Sequence, residues 1–358
     1  MDYQGMRNWE GLLDPLDENL RREIIRYGHF VEAAYRASEF RAASAPAYGG
    51  ACRVSRRRLL EGSGFEGTGY KVTKNLIASS GISLPPWITD RVAASSSWIG
   101  YVAVCQNRRE ISRIGRRDVV IAFRGTGTAM EWVENLRATL APVEVEPRAG
   151  GGPMVESGFL SLYTSSAGGG PSLQKLVRQE IGRILRKYGG EPLSFTFTGH
   201  SLGAALATLA AYDVRKTFPD SPLVTVISFA GPRVGDWRFR RHVERQGTKI
   251  LRIVNPDDPV TKVPGFVVGS DDETSGLRCE AAAAAAENFS DWIRKLVEDT
   301  QWVYADIGCE LKLRNRDSVK LNGFDLAACH DLKTYLQLVN GFDGSHCPFR
   351  STARKLMN

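Results

Sequence analysis

Gly199-His200-Ser201-Leu202-Gly203 is the segment of this 358-residue chain whose residue types most directly suggest chemistry. A serine with glycine two residues to either side can sit on a sharp strand-to-helix turn, where larger flanking side chains would collide with the neighbouring strand and helix. Leu193 to Phe197, just before it, is strand-forming, and Leu202 to Lys216, just after it, is an Ala-rich helical run in which Ala204 and Ala205 permit close packing. That context predicts a nucleophile elbow rather than an incidental Gly-rich turn. A helix starting after Ser201 also aims its first amides and the positive end of its dipole at developing negative charge, so the Leu202 N–H is expected to act as an oxyanion donor.

A serine hydroxyl is a poor nucleophile at neutral pH and needs a histidine base held by an acid. The chain has five histidines, which makes the choice of base tractable. His29 falls in an N-terminal helix, His200 is the middle residue of the elbow, His242 lies in an Arg-rich helical stretch and His346 lies near the C-terminus. His330 instead immediately precedes an amphipathic helix, Asp331 to Gly341, that ends on Asn340-Gly341, and a loop position there would let its imidazole reach the serine. For the acid, Asn255-Pro256-Asp257-Asp258-Pro259-Val260 follows the predicted strand Lys249 to Val254, at the strand end where α/β enzymes place functional groups. Asp258 is the preferred carboxylate, Asp257 is its rival, and shaping a Pro-containing turn is the plain alternative for both. Phe123-Arg124-Gly125-Thr126 closes another predicted strand, and Thr126, through its N–H and hydroxyl, is the expected second oxyanion donor.

These residues need a scaffold that alternates strand and helix. The helical period of Leu20, Ile24, Ile25, Phe30, Val31, Ala34 and Tyr35 predicts an N-terminal helix over 17–37. Ala42 to Gly69 lacks periodicity and reads as a surface excursion. Trp98 to Val104 and Val119 to Phe123 predict an antiparallel hairpin that starts the sheet. A helix over Leu173 to Tyr188 and strands at Leu193 to Phe197, Val224 to Phe229 and Lys249 to Val254 follow with short connections, which favours a parallel sheet covered by helices on both faces. Met130, Trp132, Val133 and Leu136 recur at helical spacing before a Gly-rich stretch, a pattern open to either a core helix or a lid.

Composition narrows the classes. With 42% hydrophobic and 24% charged residues the chain is of ordinary globular type, long enough to bury roughly 75% of its unfolded surface without metal or disulfide staples. The longest apolar run, Leu202 to Ala211, is half the ~20 residues that span a bilayer. The net charge of +7 is modest, and the clusters at Arg56 to Arg58 and Arg108 to Arg117 lack interleaved aromatics, so no nucleic-acid partner is expected. The six cysteines show no CxxC pair or zinc spacing, so no metal or other cofactor is expected; free thiols are the simplest reading, with one disulfide left open by the even count.

Together, Phe123 to Thr126, Val155-Glu156-Ser157-Gly158-Phe159, Thr198 to Ala204, Phe229-Ala230-Gly231-Pro232-Arg233-Val234-Gly235 and Arg252 to Val260 resemble the class 3 lipases. Trp9-Glu10-Gly11-Leu12-Leu13-Asp14-Pro15-Leu16, Ser157 to Ser165 and Cys329-His330-Asp331-Leu332 narrow the resemblance to plant class I phospholipase A1, with matches from residue 9 to residue 342. The resemblance implies an α/β-hydrolase fold with a mostly parallel sheet, helices on both faces and a lid, and a triad of Ser201, Asp258 and His330. It further implies calcium-independent cleavage of the sn-1 acyl ester of phospholipids or galactolipids, with triacylglycerol a further substrate, at a membrane surface. Some members feed polyunsaturated acids into jasmonate synthesis. A chloroplast location follows from the same resemblance, with mitochondrion and cytoplasm as alternatives. The expected organisation is an N-terminal helical extension over 1–45, one lipase domain over 46–345 with a lid at about 127–155 and an insertion at about 269–290, and a tail over 346–358. Thr261, where the family often has proline, and the six alanines from Ala281 are departures expected at the cleft rim. A catalytically inactive lipase-fold module that binds lipid or hormone, and an esterase for small esters, are the alternative readings.

Overall fold

The computed structural model describes residues 2–40, 50–79, 96–126, 139–143, 152–166, 170–264, 304–313, 326–342 and 344. In chain order its helices are α1 (Glu18–Ala37), α2 (Leu59–Gly62), α3 (Arg108–Ile114), α4 (Ser157–Thr164), α5 (Leu173–Tyr188), α6 (Leu202–Thr217), α7 (Trp237–Arg245), α8 (Leu326–His330) and α9 (Leu332–Gly341). Its strands are β1 (Ser38–Phe40), β2 (Gly50–Cys52), β3 (Tyr70–Ser79), β4 (Ser96–Cys105), β5 (Arg117–Phe123), β6 (Leu140–Pro142), β7 (Met154–Glu156), β8 (Leu193–His200), β9 (Leu223–Phe229), β10 (Lys249–Val254) and β11 (Cys309–Lys312).

Seven strands form the main sheet in the order β11-β10-β9-β8-β5-β4-β3. Pairing is parallel from β5 through β8, β9 and β10 to β11, while β3 and β4 add an antiparallel edge. Every residue of central β8 is buried, as its near-continuous apolar and threonine composition requires when both faces are covered. One face packs α4, α5, α6 and α7 through Phe159, Ile181, Leu206 and Phe239. The other packs α1, α2 and α9 through Ile24, Phe30, Leu59 and Tyr335. This is the parallel, helix-covered sheet expected from the alternation of elements, in the α/β-hydrolase arrangement that the resemblance implies.

Helix α1 forms where the period placed it, because Asp17 caps it by accepting the Asn19 and Leu20 N–H groups and its apolar stripe lies on the sheet. Arg21 on its buried side donates to the carbonyls of Val339, Asn340 and Phe342, tying α1 to the C-terminal end of α9. Buried Asp118 on β5 is satisfied by hydroxyls of Tyr27, Tyr70, Ser194 and Thr196, so the carboxylate carries no unpaired desolvation cost.

Three expectations need correction. The sheet does not start at the Trp98 hairpin: β3, whose polar residues hide its period, pairs outside β4 with two register shifts. The excursion before Gly69 is not wholly superficial, since Leu59 and Leu60 are buried in the core with α1. The link between β4 and β5 contains helix α3, capped by Asn107, rather than a bare turn. The insertion at 269–290, the six alanines and the tail at 346–358 lie outside the described residues, as does the greater part of the lid segment at 127–155; within it Leu140–Pro142 pairs antiparallel with Met154–Glu156. Cys52, Cys105 and Cys309 are free thiols, and Cys279 and Cys347 lie outside the described residues.

Two stability measurements follow. A side chain at Gly28 on α1 would run into Leu336 of α9 and press on Phe229, whereas a Cβ at Gly190 would have no other described residue within 4 Å. Gly28→Val should therefore lower the denaturation free energy by about 1–3 kcal/mol, and Gly190→Ala by less than about 0.5 kcal/mol, in urea titrations. Glu156 is fully buried, and burial raises its pKa from 4.5 to about 7 although the Gly158 and Phe159 N–H groups favour the charged form. Between those values the folded state holds a proton that the unfolded state has released, so this group costs stability as pH rises from about 4.5 to 7. Glu156→Gln should flatten that fall, gaining about 1–3 kcal/mol at pH 8 relative to pH 5 by the same titrations.

Candidate active site

Ser201 stands between β8 and α6 at φ 57° and ψ −128°, a conformation that costs a non-glycine residue of order 1–3 kcal/mol and persists only when its surroundings enforce it. The surroundings here are backbone. A Cβ on Gly199 would strike the Gly203 carbonyl, and one on Gly203 would lie 2.6 Å from the Phe123 and Arg124 carbonyl oxygens. The Ser201 N–H continues the β8–β9 ladder by donating to the Phe229 carbonyl at 3.0 Å. The two glycines thus let α6 cross β8 closely enough to hold the serine turned out of line, which is the elbow predicted from their spacing.

His330 Nε2 lies 2.8 Å from Ser201 Oγ, and its Nδ1 lies 2.7 Å from Asp258 Oδ2. A carboxylate only accepts, so Nδ1 carries the proton and bare Nε2 accepts from the Ser201 hydroxyl. Asp258 is fully buried, and it also accepts from the Tyr335 hydroxyl at 2.7 Å and from the Val260 N–H at 2.9 Å. The rival Asp257 is exposed, its N–H donating to the Asn255 side chain in the turn. Thr261 is buried, not at a cleft rim: its hydroxyl donates to the Asp258 carbonyl, so the departure from proline is absorbed by the acid's own turn. His330 does not occupy a loop but ends the short helix α8; Asp331 then caps α9 by accepting the Lys333 N–H. The break between the two helices at the Asp331 cap leaves the His330 ring free of a continuous helical surface.

The Phe123-Arg124-Gly125-Thr126 segment crosses directly in front of the elbow. A Cβ at Gly125 would sit 3.1 Å from Ser201 Cβ. Arg124 is wholly buried, donates to the carbonyls of Trp98 and Gly125 and to the Ser97 hydroxyl, and is lowered to about 10 by burial. The buried Thr126 hydroxyl has no partner among the described residues. As first residue of a 16-residue helix, Leu202 has an N–H with no intrahelical acceptor. Two sets of available donors therefore flank the serine.

His200, predicted only as the elbow's middle residue, has contacts of its own. Its Nδ1 lies 2.8 Å from the Tyr35 hydroxyl and its Nε2 lies 2.7 Å from the His330 carbonyl oxygen. Burial first, and then the nearby His330 charge, hold its pKa well below the usual range, although the bond to the His330 carbonyl opposes them. Tyr35, Tyr335 and Asn255, whose amide donates to the Cys329 carbonyl, were not singled out in the sequence, because each reads there as an ordinary helix or turn residue. Among the described residues there is no group of acidic, His and Cys side chains arranged to hold a metal ion.

A hydroxyl, imidazole and carboxylate in this order, beside a helix N-terminus at the C-terminal edge of a parallel sheet, can drive acyl transfer through a serine ester, and the chain is a carboxylic ester hydrolase of the α/β-hydrolase class. The Lipase (class 3) family profile matches residues 120–268. The chain is 58% identical to chloroplastic phospholipase A(1) DAD1 of Arabidopsis thaliana, an alignment covering 100% of this chain and 80% of that one. It is 38% identical to the chloroplastic galactolipase DONGLE of the same plant, over 95% and 69% of the two chains. A lipase–propeptide complex of Rhizomucor miehei superimposes with a TM-score of 0.49 at 18% identity, over 92% and 81% of the chains. The protein belongs to the class 3 lipase family, in its plant class I phospholipase A1 branch, and its location, like that of these plant relatives, is the chloroplast.

The contrast between the two adjacent carboxylates is open to direct measurement. Asp258→Asn should cut kcat for ester hydrolysis by about 10⁴-fold, through loss of the acceptor that sets the His330 tautomer, while Asp257→Asn should leave kcat nearly unchanged. The reverse ranking in steady-state assays would assign the acid to the wrong residue.

Proposed function

We propose that this lipase hydrolyses the sn-1 acyl ester of phospholipids and galactolipids through an acyl-Ser201 intermediate, with His330 as base and acid, Asp258 as its orienting group, and the Leu202 and Thr126 N–H groups as the oxyanion hole. The observation that carries the reading is the unbroken run of short contacts from Ser201 Oγ to His330 and from His330 to Asp258. In the acylation step His330 Nε2 takes the Ser201 proton as Oγ bonds to the carbonyl carbon; the same proton then passes to the departing lysolipid oxygen. Water repeats the sequence in reverse, releasing the fatty acid. The N-terminal end of α6 favours the charge that develops on the carbonyl oxygen, and loss of one such donor costs about 3 kcal/mol. No step calls for a metal or organic cofactor.

The head-group side of the proposal rests on the phospholipase and galactolipase relatives. Acyl lipids of that kind sit in a bilayer, and no helix among the described residues is long and apolar enough to cross one, so contact with the membrane is proposed to be peripheral. Ser201 and His330 are almost sealed from solvent, so a long-chain ester reaches them only when their cover moves; the segment 127–155 is the proposed lid. Residues 46–345 are proposed as the lipase domain that this lid serves, with 1–45 as its helical extension.

Ser201→Ala should abolish fatty-acid release from positionally labelled phosphatidylcholine and monogalactosyldiacylglycerol while leaving thermal unfolding almost unaltered. The unsubstituted protein should release label from the sn-1 position and be covalently modified at Ser201 by a fluorophosphonate. Retained hydrolysis in the alanine variant would remove Ser201 as nucleophile, and release from sn-2 alone would overturn the positional assignment.

A further inference from the structure

Tyr35 lies on α1, far in sequence from every residue of the triad, yet its hydroxyl meets two parts of the site at once. It accepts the Gly125 N–H at 2.9 Å, one residue before the expected oxyanion donor Thr126, and it lies 2.8 Å from His200 Nδ1. The direction of the second bond is fixed by what lies on the far side of the ring. His200 Nε2 faces the His330 carbonyl oxygen, which can only accept, so Nε2 carries the proton, Nδ1 is bare, and the Tyr35 O–H donates to it. A continuous chain of donors therefore runs from the Gly125 N–H to Tyr35, from Tyr35 to His200, and from His200 to the backbone of His330.

We infer that Tyr35 is a positioning residue of the hydrolase, holding the oxyanion segment through Gly125 and the main chain of the general base through His200. Both ends of this tie matter to the reaction rather than to substrate capture. One sets where the Thr126 N–H points, and the other sets the carbonyl of the residue whose imidazole must stay 2.8 Å from Ser201 Oγ. A misplacement of about 1 Å at such groups costs on the order of 100-fold in rate. There is almost no room to replace the tie by repacking, because a Cβ on Gly125 would meet the Tyr35 hydroxyl, the His200 carbonyl and Ser201 at once. The inference also gives the N-terminal helix a part in the chemistry beyond covering the sheet.

The inference rests on the hydrolytic reading, and the experiment separates the two. A matched control exists on the same interface: the buried Tyr101 hydroxyl donates to the Phe30 carbonyl of α1 at 2.8 Å without touching the oxyanion segment or either histidine. Tyr35→Phe, Tyr101→Phe, His200→Gln, the double Tyr35→Phe/His200→Gln variant and Ser201→Ala are compared in the full chain for kcat, KM, thermal unfolding and the rate of Ser201 phosphonylation by a fluorophosphonate. Tyr35→Phe is expected to lower kcat and the phosphonylation rate by about 10- to 100-fold with KM little changed, whereas Tyr101→Phe loses thermal stability and keeps its kcat. The double variant should fall short of the product of its two single losses, since Tyr35 acts partly through His200. Full kcat in Tyr35→Phe, an equal loss in Tyr101→Phe, or losses that multiply in the double variant would each overturn the positioning role. Activity retained in Ser201→Ala would instead bring down the acyl-Ser201 mechanism beneath it.

Discussion

The strained backbone at Ser201 is possible only because two bare backbones pass each other there. Gly199 and Gly203 leave no side chain between the end of β8 and the start of α6, and the carbonyls of Phe123 and Arg124 close against Gly203 from the next strand. This close approach couples elements that are separate in sequence. Where α6 is set against β8 also determines where the β5 extension runs, and hence where Gly125 and Thr126 stand relative to the hydroxyl. Local strain in the serine is thereby opposed by the whole parallel sheet, whose central strands are paired on both sides. A hydroxyl placed this way needs no mobile loop to present it.

The proposed acid and base are delivered differently, from chain segments that follow the strands. Asp258 follows β10 and His330 ends α8, so neither is positioned by strand pairing. Side-chain and main-chain hydrogen bonds take that place. The Tyr335 hydroxyl donates to Asp258 and accepts the Asn255 N–H, joining α9 to the turn that carries the acid. The Asn255 amide reaches back to the Cys329 carbonyl, beside the base. The two segments are thus cross-linked by bonds at both ends, and α1 fixes the far end of α9 through Arg21.

The parts of the site visible in the sequence are those whose physical requirement is local. Gly199 and Gly203 answer to sterics within one turn, and the helical period of Leu173 to Tyr188 and the apolar run at Lys249 to Val254 answer to burial of one face, so these elements appear where the pattern put them. Strand β3 was not visible because Lys71, Thr73, Lys74 and Asn75 break its alternation, and its bulges shift the faces partway along. The roles of Tyr35 and Tyr335 were hidden for a different reason. Each occupies an apolar helical position that its ring fills like any core aromatic, and only the fold reveals what the hydroxyl touches. His330 could be chosen by elimination among the histidines, but the helix it ends has only five residues, too few for a period to be read.

Charge explains why two histidines can share this site. Their rings are 4.8 Å apart, and in the proposed reaction His330 becomes an imidazolium. The buried Asp258 carboxylate compensates that charge, held by three donors: the His330 ring, the Tyr335 hydroxyl and the Val260 N–H. A protonated His200 would place a like charge beside the base just where a positive charge has to form, weakening it as a proton acceptor. Burial prevents this by holding His200 neutral, and the His330 carbonyl selects the tautomer that leaves Nδ1 free for Tyr35. The same ring can therefore serve as a neutral two-ended tie, accepting from α1 and donating to the backbone of the base, without competing for the one positive charge the reaction creates.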